Sequence, residues 1–294
     1  MCIVIGKYFE GIGWVAVKNR DRNYIPEISF KKLHKDGVEI LYFWDDITQY
    51  CEGFNSAGVG ILGASLMVLD DEKEIEKRSK TPSKDGARIK KALEYPDVKA
   101  AAMQLIRDGL TGNTLVFDQE HMYLIEAAKH QGEFQYRVKE IPQGQTVVRT
   151  NHGIWLPWAG YQRGNDRAES MSRVSSESRR LIAEKVTESA KNPEDILDGL
   201  TRDYTGDGQL NALRTTSKKK KMRTTSQILI VPKEHTMYVR PVQSHMIFNF
   251  WDLNRPDQKT WIEILSNRVL YMNLKDSDPE NDPPFAHALT HDSA

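Results

Sequence analysis

Cysteine is scarce in this chain: 294 residues contain two, Cys2 and Cys51. Two thiols cannot build a disulfide framework, so a reducing, cytoplasmic setting is expected. No run of about 18 apolar residues occurs, which predicts no transmembrane helix. The first twenty residues lack a basic segment followed by an apolar one, so no secretory leader is expected. Charge of one sign is not in excess, because Lys+Arg and Asp+Glu both number 41. Nothing therefore draws the whole chain toward nucleic acid or an anionic membrane, and neither is expected as a partner. The 8 histidines show neither His-Glu-x-x-His nor a paired metal spacing, so no metal site is expected. No internal repeat is visible.

What is present fits a globular protein with a real core: 39% hydrophobic and 28% charged residues. The length allows one large domain or two small ones. The reading adopted is one domain over residues 1–272, followed by a polar, Pro-containing tail over 273–294 that is expected to be poorly ordered. A homo-oligomer is compatible with all of this.

The first 70 residues read as strands. CIVIGKY is apolar and β-branched, GIG breaks the run, and WVAVKNRD alternates, which predicts a hairpin with Cys2 opening its first strand and Asp21 just past its second. Two or three more strands follow through ILYFWDD to GASLMVLD, around a turn at GFNSAG. Residues 70–91 are mostly charged and predict an exposed connection. Pro96 is expected in the first turn of a helix that Gly109 stops. TLVFDQEHMYLIEAA predicts a hairpin turning at DQEH, and QTVVRTN another strand. A polar helix is expected from Ser170 to about Ala190, a short one over NPEDILDGLTRDY, and a hairpin over TTSQILIVPKEHTMYVRPV. Strands, then helices, then strands, without βαβ alternation, predict an α+β layered sandwich.

Three motifs invite functional readings that their surroundings do not support. GVGILG (Gly58 to Gly63) satisfies the dinucleotide pattern, but a turn precedes it and a strand follows, where pyrophosphate would need a helix N-terminus. DYTGDGQLNALR begins like a calcium loop, yet its twelfth position, which should be a bidentate glutamate, is Arg214. KKKKMR (Lys218 to Arg223) reads as a solvated loop, since no aromatic flanks it.

Cys2 is different in its chemistry. Alone it is a small hydrophobe at a strand start. Removal of Met1, usual before so small a residue, would place a free amine and a thiol on one residue. Their ordinary pKa values, roughly 8 and 8.5, lie near neutrality. The amine could then take the thiol proton and return it to a leaving amine, while the thiolate forms an acyl-enzyme. Such a site needs an acid to hold the amine, a nearby cation, and donors for an oxyanion.

MCIVIG followed by KNRDRNY resembles the start of the choloylglycine hydrolase, penicillin V acylase and acyl-coenzyme A:6-aminopenicillanate acyltransferase group of N-terminal-nucleophile amidohydrolases. EGFNSAGVGILGASL, GLTGNTLVFDQEHMYLIEAA, VVRTNHG, DRAESMSR and MRTTSQILIVPKEHTMYVRPV resemble further segments of that group in the same order, over about residues 2–243. The resemblance implies a four-layer αββα sandwich. It also implies Cys2 as nucleophile with its own amine as base, and Asp21 orienting that amine or thiol. Asn151 would direct its amide at the oxyanion, and Ser65 would supply a backbone N–H to the same hole. Arg173 and Arg20 would bring positive charge, and Asn55 and Trp155 would contact substrate. Trp155 belongs to a set of aromatics, with Trp14, Tyr24, Phe43, Trp44 and Trp158, that could line an acyl pocket or simply be core. One departure stands out: Lys18 occupies a position where the group has arginine, and Arg20 stands beside it.

The expectation is an enzyme acting on a linear, non-peptide amide of a small molecule through a Cys2 thioester, without a cofactor, with hydrolysis and acyl transfer both open. The acyltransferase-like branch is favoured, since the long loops of bile-salt hydrolases are not identifiable. The rival readings are a small-peptide or N-terminal peptidase, and a catalytically silent binding protein on the same fold. Substrate-shaping loops are expected at residues 23–50 and 70–95.

Overall fold

The computed structural model describes residues 2–66, 82–130, 132–160, 166–215, 222–242, 246–253, 259–264, 269–273 and 287–289. The first half of the chain gives β1 (Cys2–Phe9), β2 (Gly13–Arg22), β3 (Ile28–Lys35), β4 (Val38–Asp45), β5 (Cys51–Asn55), β6 (Gly60–Ala64), α1 (Asp85–Ala92) and α2 (Val98–Arg107). Next come β7 (Gly112–Phe117), β8 (Met122–His130), β9 (Glu133–Glu140), β10 (Val147–Arg149), α3 (Asp166–Ser189) and α4 (Pro193–Gly199). The last stretch gives β11 (Arg223–Val231), β12 (Thr236–Pro241), β13 (Met246–Asp252), β14 (Lys259–Ile264), β15 (Val269–Asn273) and β16 (His287–Leu289).

These strands form two sheets. The first runs β10-β1-β2-β11-β12-β15-β16, and the second runs β14-β13-β3-β4-β5-β6-β7-β8-β9. Among the described residues every pairing is antiparallel except β13 on β3. Strand alternation separates the faces of β1 and β2. Val4, Trp14 and Ala16 join Phe30, Phe43, Phe117 and Leu124 of the second sheet in the core between the sheets. Ile3, Ile5, Val15 and Val17 face the other way and pack under Ile182, Ala183 and Val186 of α3 and Ile196 of α4. A third apolar layer sets Ile40, Ile61 and Ile125 against Ile89 of α1 and Ala101 and Leu105 of α2. Helix, sheet, sheet, helix is thus the order of layers, a four-layer α+β sandwich. Each large side chain buried in it stabilises the fold by roughly 2 kcal/mol.

Local chemistry explains most element ends. β1 turns into β2 through Gly11 at φ 80° and Gly13 at φ 93°, left-handed backbone that glycine adopts without strain. A Cβ at Gly13 would sit 2.4 Å from the Gln119 carbonyl. Asp97 caps α2 by accepting from the Ala100 N–H, so Pro96 precedes the cap and is not in the first turn as expected. Gly109 at φ 68° then ends that helix. Asn192 and Asp195 form a reciprocal capping box on α4.

Several expectations need correction. β2 runs on to Arg22, because β11 continues the ladder to Arg223, so Asp21 lies within the strand. The segment 23–50, expected as substrate loops, is largely the β3–β4 hairpin of the second sheet. Part of the charged connection is α1, whose Gly86, Ile89 and Ala92 are buried at helical spacing. Residues 67–81, Lys218 to Lys221 of the basic run, and 274–286 and 290–294 of the tail lie outside the described residues. Within that tail, His287–Leu289 pairs with β15.

Candidate active site at the start of the first strand

Cys2 is the first residue of β1 and lies opposite Arg20 in β2. By strand parity Lys18, Arg20 and Arg22 share its face, toward the second sheet, while Asn19 and Asp21 face the α3 layer. This half of the intersheet core holds charge as well as hydrocarbon. Lys18, Arg20, Asp45 and Glu52 are at most 1% exposed. Lys18 Nζ is hydrogen-bonded to Glu52 Oε1 and sits 4.9 Å above the Tyr50 ring. Arg20 Nη2 donates to Asp45 Oδ2 at 2.6 Å, with its Nε 3.8 Å from Glu52 Oε2. Its guanidinium also lies 5.0 Å from the Phe43 ring centroid. Arg22 Nε is 3.4 Å from Asp45 Oδ2, and the Tyr24 hydroxyl donates to that same oxygen at 2.6 Å.

Three cations thus face two carboxylates, and the sixth member of the group is the Cys2 thiol. Arg22 Nη1 stands 3.7 Å from Cys2 Sγ. Burial by itself would raise the thiol pKa. Lys18, the chain's terminal ammonium and Arg22 together outweigh it, against a smaller opposing push from Asp21, and bring it from 9.0 to about 7. The Arg22 guanidinium is correspondingly held protonated: burial opposes its charge, but Cys2, Tyr24, Asp45 and Glu52 prevail. The second thiol behaves oppositely. Burial, reinforced by Glu52, pushes Cys51 well above its ordinary value, and its Sγ rests on the Gly86 carbonyl at 3.3 Å.

Asn151 closes the site from the loop after β10. Its Oδ1 accepts the Cys2 backbone N–H at 2.6 Å, and its Nδ2 donates to the Ser65 carbonyl at 2.8 Å. Ser65 therefore meets Asn151 through its C=O, where sequence reasoning had assigned a role to its N–H. Asn113 holds the loop from β7, donating to the carbonyls of Thr150 at 2.8 Å and His152 at 3.4 Å. Glu126 of β8 accepts from the backbone N–H of Leu156 at 2.6 Å and of Ile154 at 3.0 Å. Trp155 packs partly buried against the same apolar cluster as Cys2, with the Arg149 guanidinium 5.1 Å from its ring centroid.

Asp21 is held from behind. Its carboxylate receives Arg179 Nη2 at 2.5 Å and the Thr224 hydroxyl at 2.8 Å, with Arg214 Nε at 3.7 Å. Burial, then the Arg179 charge, pull Arg214 down to about 9, against Asp21, Cys2 and Asp207.

Of the residues expected at the site, Cys2, Arg20, Asp21, Asn151, Ser65 and Trp155 are in one neighbourhood. Arg173 and Asn55 are elsewhere. Arg173 donates to the Pro157 carbonyl at 3.1 Å and helps line a cavity of about 310 Å³ with Thr150, His152, Ile154 and Ser176. The helix arginine that reaches Asp21 is Arg179, six residues on. Asn55 serves its own turn, accepting from Ala57 and Val59 N–H and donating to the Leu93 and Tyr95 carbonyls beneath α1. Sequence reasoning missed Arg22, Asp45, Glu52, Arg179 and Arg214. Parity with Cys2 signals Arg22, and the i, i+3, i+4 run of Ser175, Ser176, Arg179, Ile182 and Ala183 signals Arg179. Nothing local signals the two acids. Among the described residues no group of three His, Cys, Asp or Glu side chains is arranged to hold a metal ion.

No protein-family profile matches the sequence, and no curated protein matches it. Among solved structures, penicillin V acylase from Agrobacterium tumefaciens superposes with a TM-score of 0.52 at 11% identity, over 94% of this chain and 87% of that one. A variant of conjugated bile acid hydrolase from Clostridium perfringens gives a TM-score of 0.48 at 11% identity, over 98% of this chain and 97% of that one. At such identity the likeness is one of fold: the chain is built as the α+β sandwich that penicillin V acylase also adopts.

Proposed function

We propose that this chain is an amide-cleaving enzyme whose nucleophile is the Cys2 thiolate, acting on a linear, non-peptide amide once Met1 has been removed. The observation that carries the reading is the place of the Cys2 thiol beside two cations: Arg22 Nη1 stands 3.7 Å from its Sγ, and Lys18 and Arg22 both favour its thiolate. With Met1 in place, Lys18, the terminal ammonium and Arg22 outweigh burial and bring the thiol to about 7, where it is substantially ionised near neutrality yet retains nucleophilicity. Removal of Met1 moves that ammonium onto Cys2 itself.

In the reaction the thiolate attacks the amide carbonyl and a C–S bond forms. The carbonyl π electrons become an oxyanion, for which one N–H of the Asn151 amide, beyond the one held by Ser65, is at hand. The oxyanion collapses, the C–N bond breaks, and the departing amine takes a proton from the Cys2 α-ammonium. Water then attacks the thioester, giving up its proton to the now neutral α-amine, and the acid and thiolate are released. A second amine in place of water makes the same machinery an acyltransferase. Asn151, which accepts from the Cys2 nitrogen, keeps the amine beside its own thiol. Asp21, anchored by Arg179 and Thr224, places a fixed negative charge near it.

The test is intact mass followed by acyl trapping. A chain lacking Met1, with an unblocked amine, should gain one acyl group from an activated ester or an amide panel, on Cys2 by peptide mapping. Cys2→Ser should retain the fold and lose turnover by about a hundredfold or more. Retained Met1, a blocked amine, or acylation elsewhere would refute the proposal.

A further inference from the structure

β9 is the terminal strand of the second sheet, and among the described residues no strand pairs with its outer edge. All of its residues except Phe134 are exposed, including Tyr136 and Val138 at 39% each. An open, eight-residue edge about 27 Å long, with no proline and apolar residues along one face, is a template for another strand. The sequence EFQYRVKE says which one. A two-fold axis that pairs two β9 strands antiparallel stands perpendicular to the sheet, so facing residues must share a face and their numbers must sum to an even value. With the sum 272, Tyr136 meets Tyr136 of the second copy and Phe134 meets Val138, all on the face where Phe134 already packs against the α1–α2 core. On the opposite face Glu133 then meets Lys139 and Gln135 meets Arg137, each twice. Shifting to 274 sets Arg137 against its own copy and Phe134 against Glu140. Shifting to 270 keeps a charge pair, Glu133 with Arg137, but sets Val138 against Gly132 and Gln135 against its own copy, and it leaves Lys139 without Glu133. The register centred on Tyr136 alone thus joins the outer charges and all three apolar side chains.

We propose that the outer edge of β9 is a two-fold interface for a second copy of this chain, paired in the register centred on Tyr136, so that the nine-stranded sheet continues across the dimer. The charge pattern is self-complementary in this register, and its apolar face becomes a closed cluster of six side chains. The interface is independent of the chemistry at Cys2.

Sedimentation across a concentration series should show a reversible dimer. Lys139→Glu, which sets Glu133 against a like charge at both ends of the axis, should weaken it about tenfold, because the effect enters twice. Glu133→Lys combined with Lys139→Glu should restore it. Tyr136→Cys should give an oxidised covalent dimer, and Val138→Cys, which faces Phe134, should not. All four positions are on the exposed strand, and circular dichroism confirms the fold of each variant. A monomer at every concentration, a dimer indifferent to Lys139→Glu, or cross-linking at position 138 in preference to 136 would overturn the proposal.

Discussion

Replacing Lys18 with methionine removes the group that holds the Cys2 thiol down most strongly. Three charges lower the thiol: Lys18 first, then the terminal ammonium and Arg22. They act against burial, which is the largest single influence and exceeds Lys18 itself. The fall from 9.0 to about 7 is about a hundredfold in acidity, or roughly 3 kcal/mol. Lys18 is the largest of the lowering influences, and a cation within about 4–6 Å of an anion typically changes its acidity by about tenfold or more. In Lys18→Met the thiol should therefore rise to about 8 or higher, and the thiolate fraction at pH 7 should drop from about one half to about a tenth.

The assay is the rate of alkylation by iodoacetamide against pH, followed separately on the Cys2 and Cys51 peptides. Cys51, buried and pushed upward, is the internal reference and should barely react over the same range. Lys18→Arg keeps the charge and should keep the Cys2 midpoint near 7. Loss of Lys18 also leaves the Glu52 carboxylate without its nearest cation, a change expected to cost about 3–5 kcal/mol. If that unfolds the single variant, adding Glu52→Gln removes the stranded charge and the midpoint is read there. A Cys2 midpoint that stays near 7 in a folded chain lacking Lys18 would refute the electrostatic argument.

Two further outcomes follow from the loop after β10. Burial, then the charge of Arg173, depress His152 from 6.5 to about 4. The unfolded chain thus takes up a proton near pH 6.5 that the folded chain refuses until about 4. This contribution to stability, roughly 3 kcal/mol, is complete above pH 6.5 and is lost as pH falls to 4. Between pH 6.5 and 4 the parent should therefore lose about 3 kcal/mol more stability than His152→Gln, and parallel pH profiles in urea unfolding would reject the assignment. Gly160 lies at φ 88°, and a Cβ there would sit 2.1 Å from the Asn151 carbonyl. Gly160→Ala should cut acyl-transfer activity severalfold or more, since Asn151 is displaced from Cys2. Gly109→Ala, at φ 68° with nothing within 4 Å of the new methyl, should cost only about 1–2 kcal/mol of backbone strain. Equal effects of the two on activity would remove Asn151 from the argument.

Where period and punctuation agreed, the fold was legible. The hairpins at Glu10–Ile12, at DQEH and at PKEH alternate in hydrophobicity and break at residues that cannot continue a strand. α1 was hidden because its buried Gly86, Ile89 and Ala92 are embedded in lysines whose long side chains reach solvent from the helix flank. β3 was hidden for a similar reason: ISFKKLHK reads as polar, and Lys32 is held beside Glu39 at 3.3 Å. The parallel pairing of β13 with β3 joins residues more than two hundred apart in sequence, and no local pattern encodes it.

The site divides along the same line. Cys2 could be singled out from its chemistry at the start of a strand, and Asp21 and Asn151 from the ordered set of segments that resembles the amidohydrolase group. Their counter-charges could not, because those depend on long-range contacts: Arg179 reaches Asp21 across 158 residues, and Glu52 reaches Lys18 across 34. Three cations alternating in one strand normally mark a solvated face. Here the hydrophobic residues on the same face, Trp14 and Ala16, already point into the core, so parity obliges Lys18, Arg20 and Arg22 to follow them inward. Buried cations require anions: Lys18 is paired with Glu52 and Arg20 with Asp45, while Arg22, partly exposed, stands between Asp45 and the Cys2 thiol. Arg20 takes the branched contacts to Asp45 and Glu52, and the neighbouring position needs only a compact charge on Glu52, which an ammonium supplies without a guanidinium's fork. Lys18 and Arg22 both lower the thiol, and this ties the packing of the second strand to the ionisation of the first residue of β1.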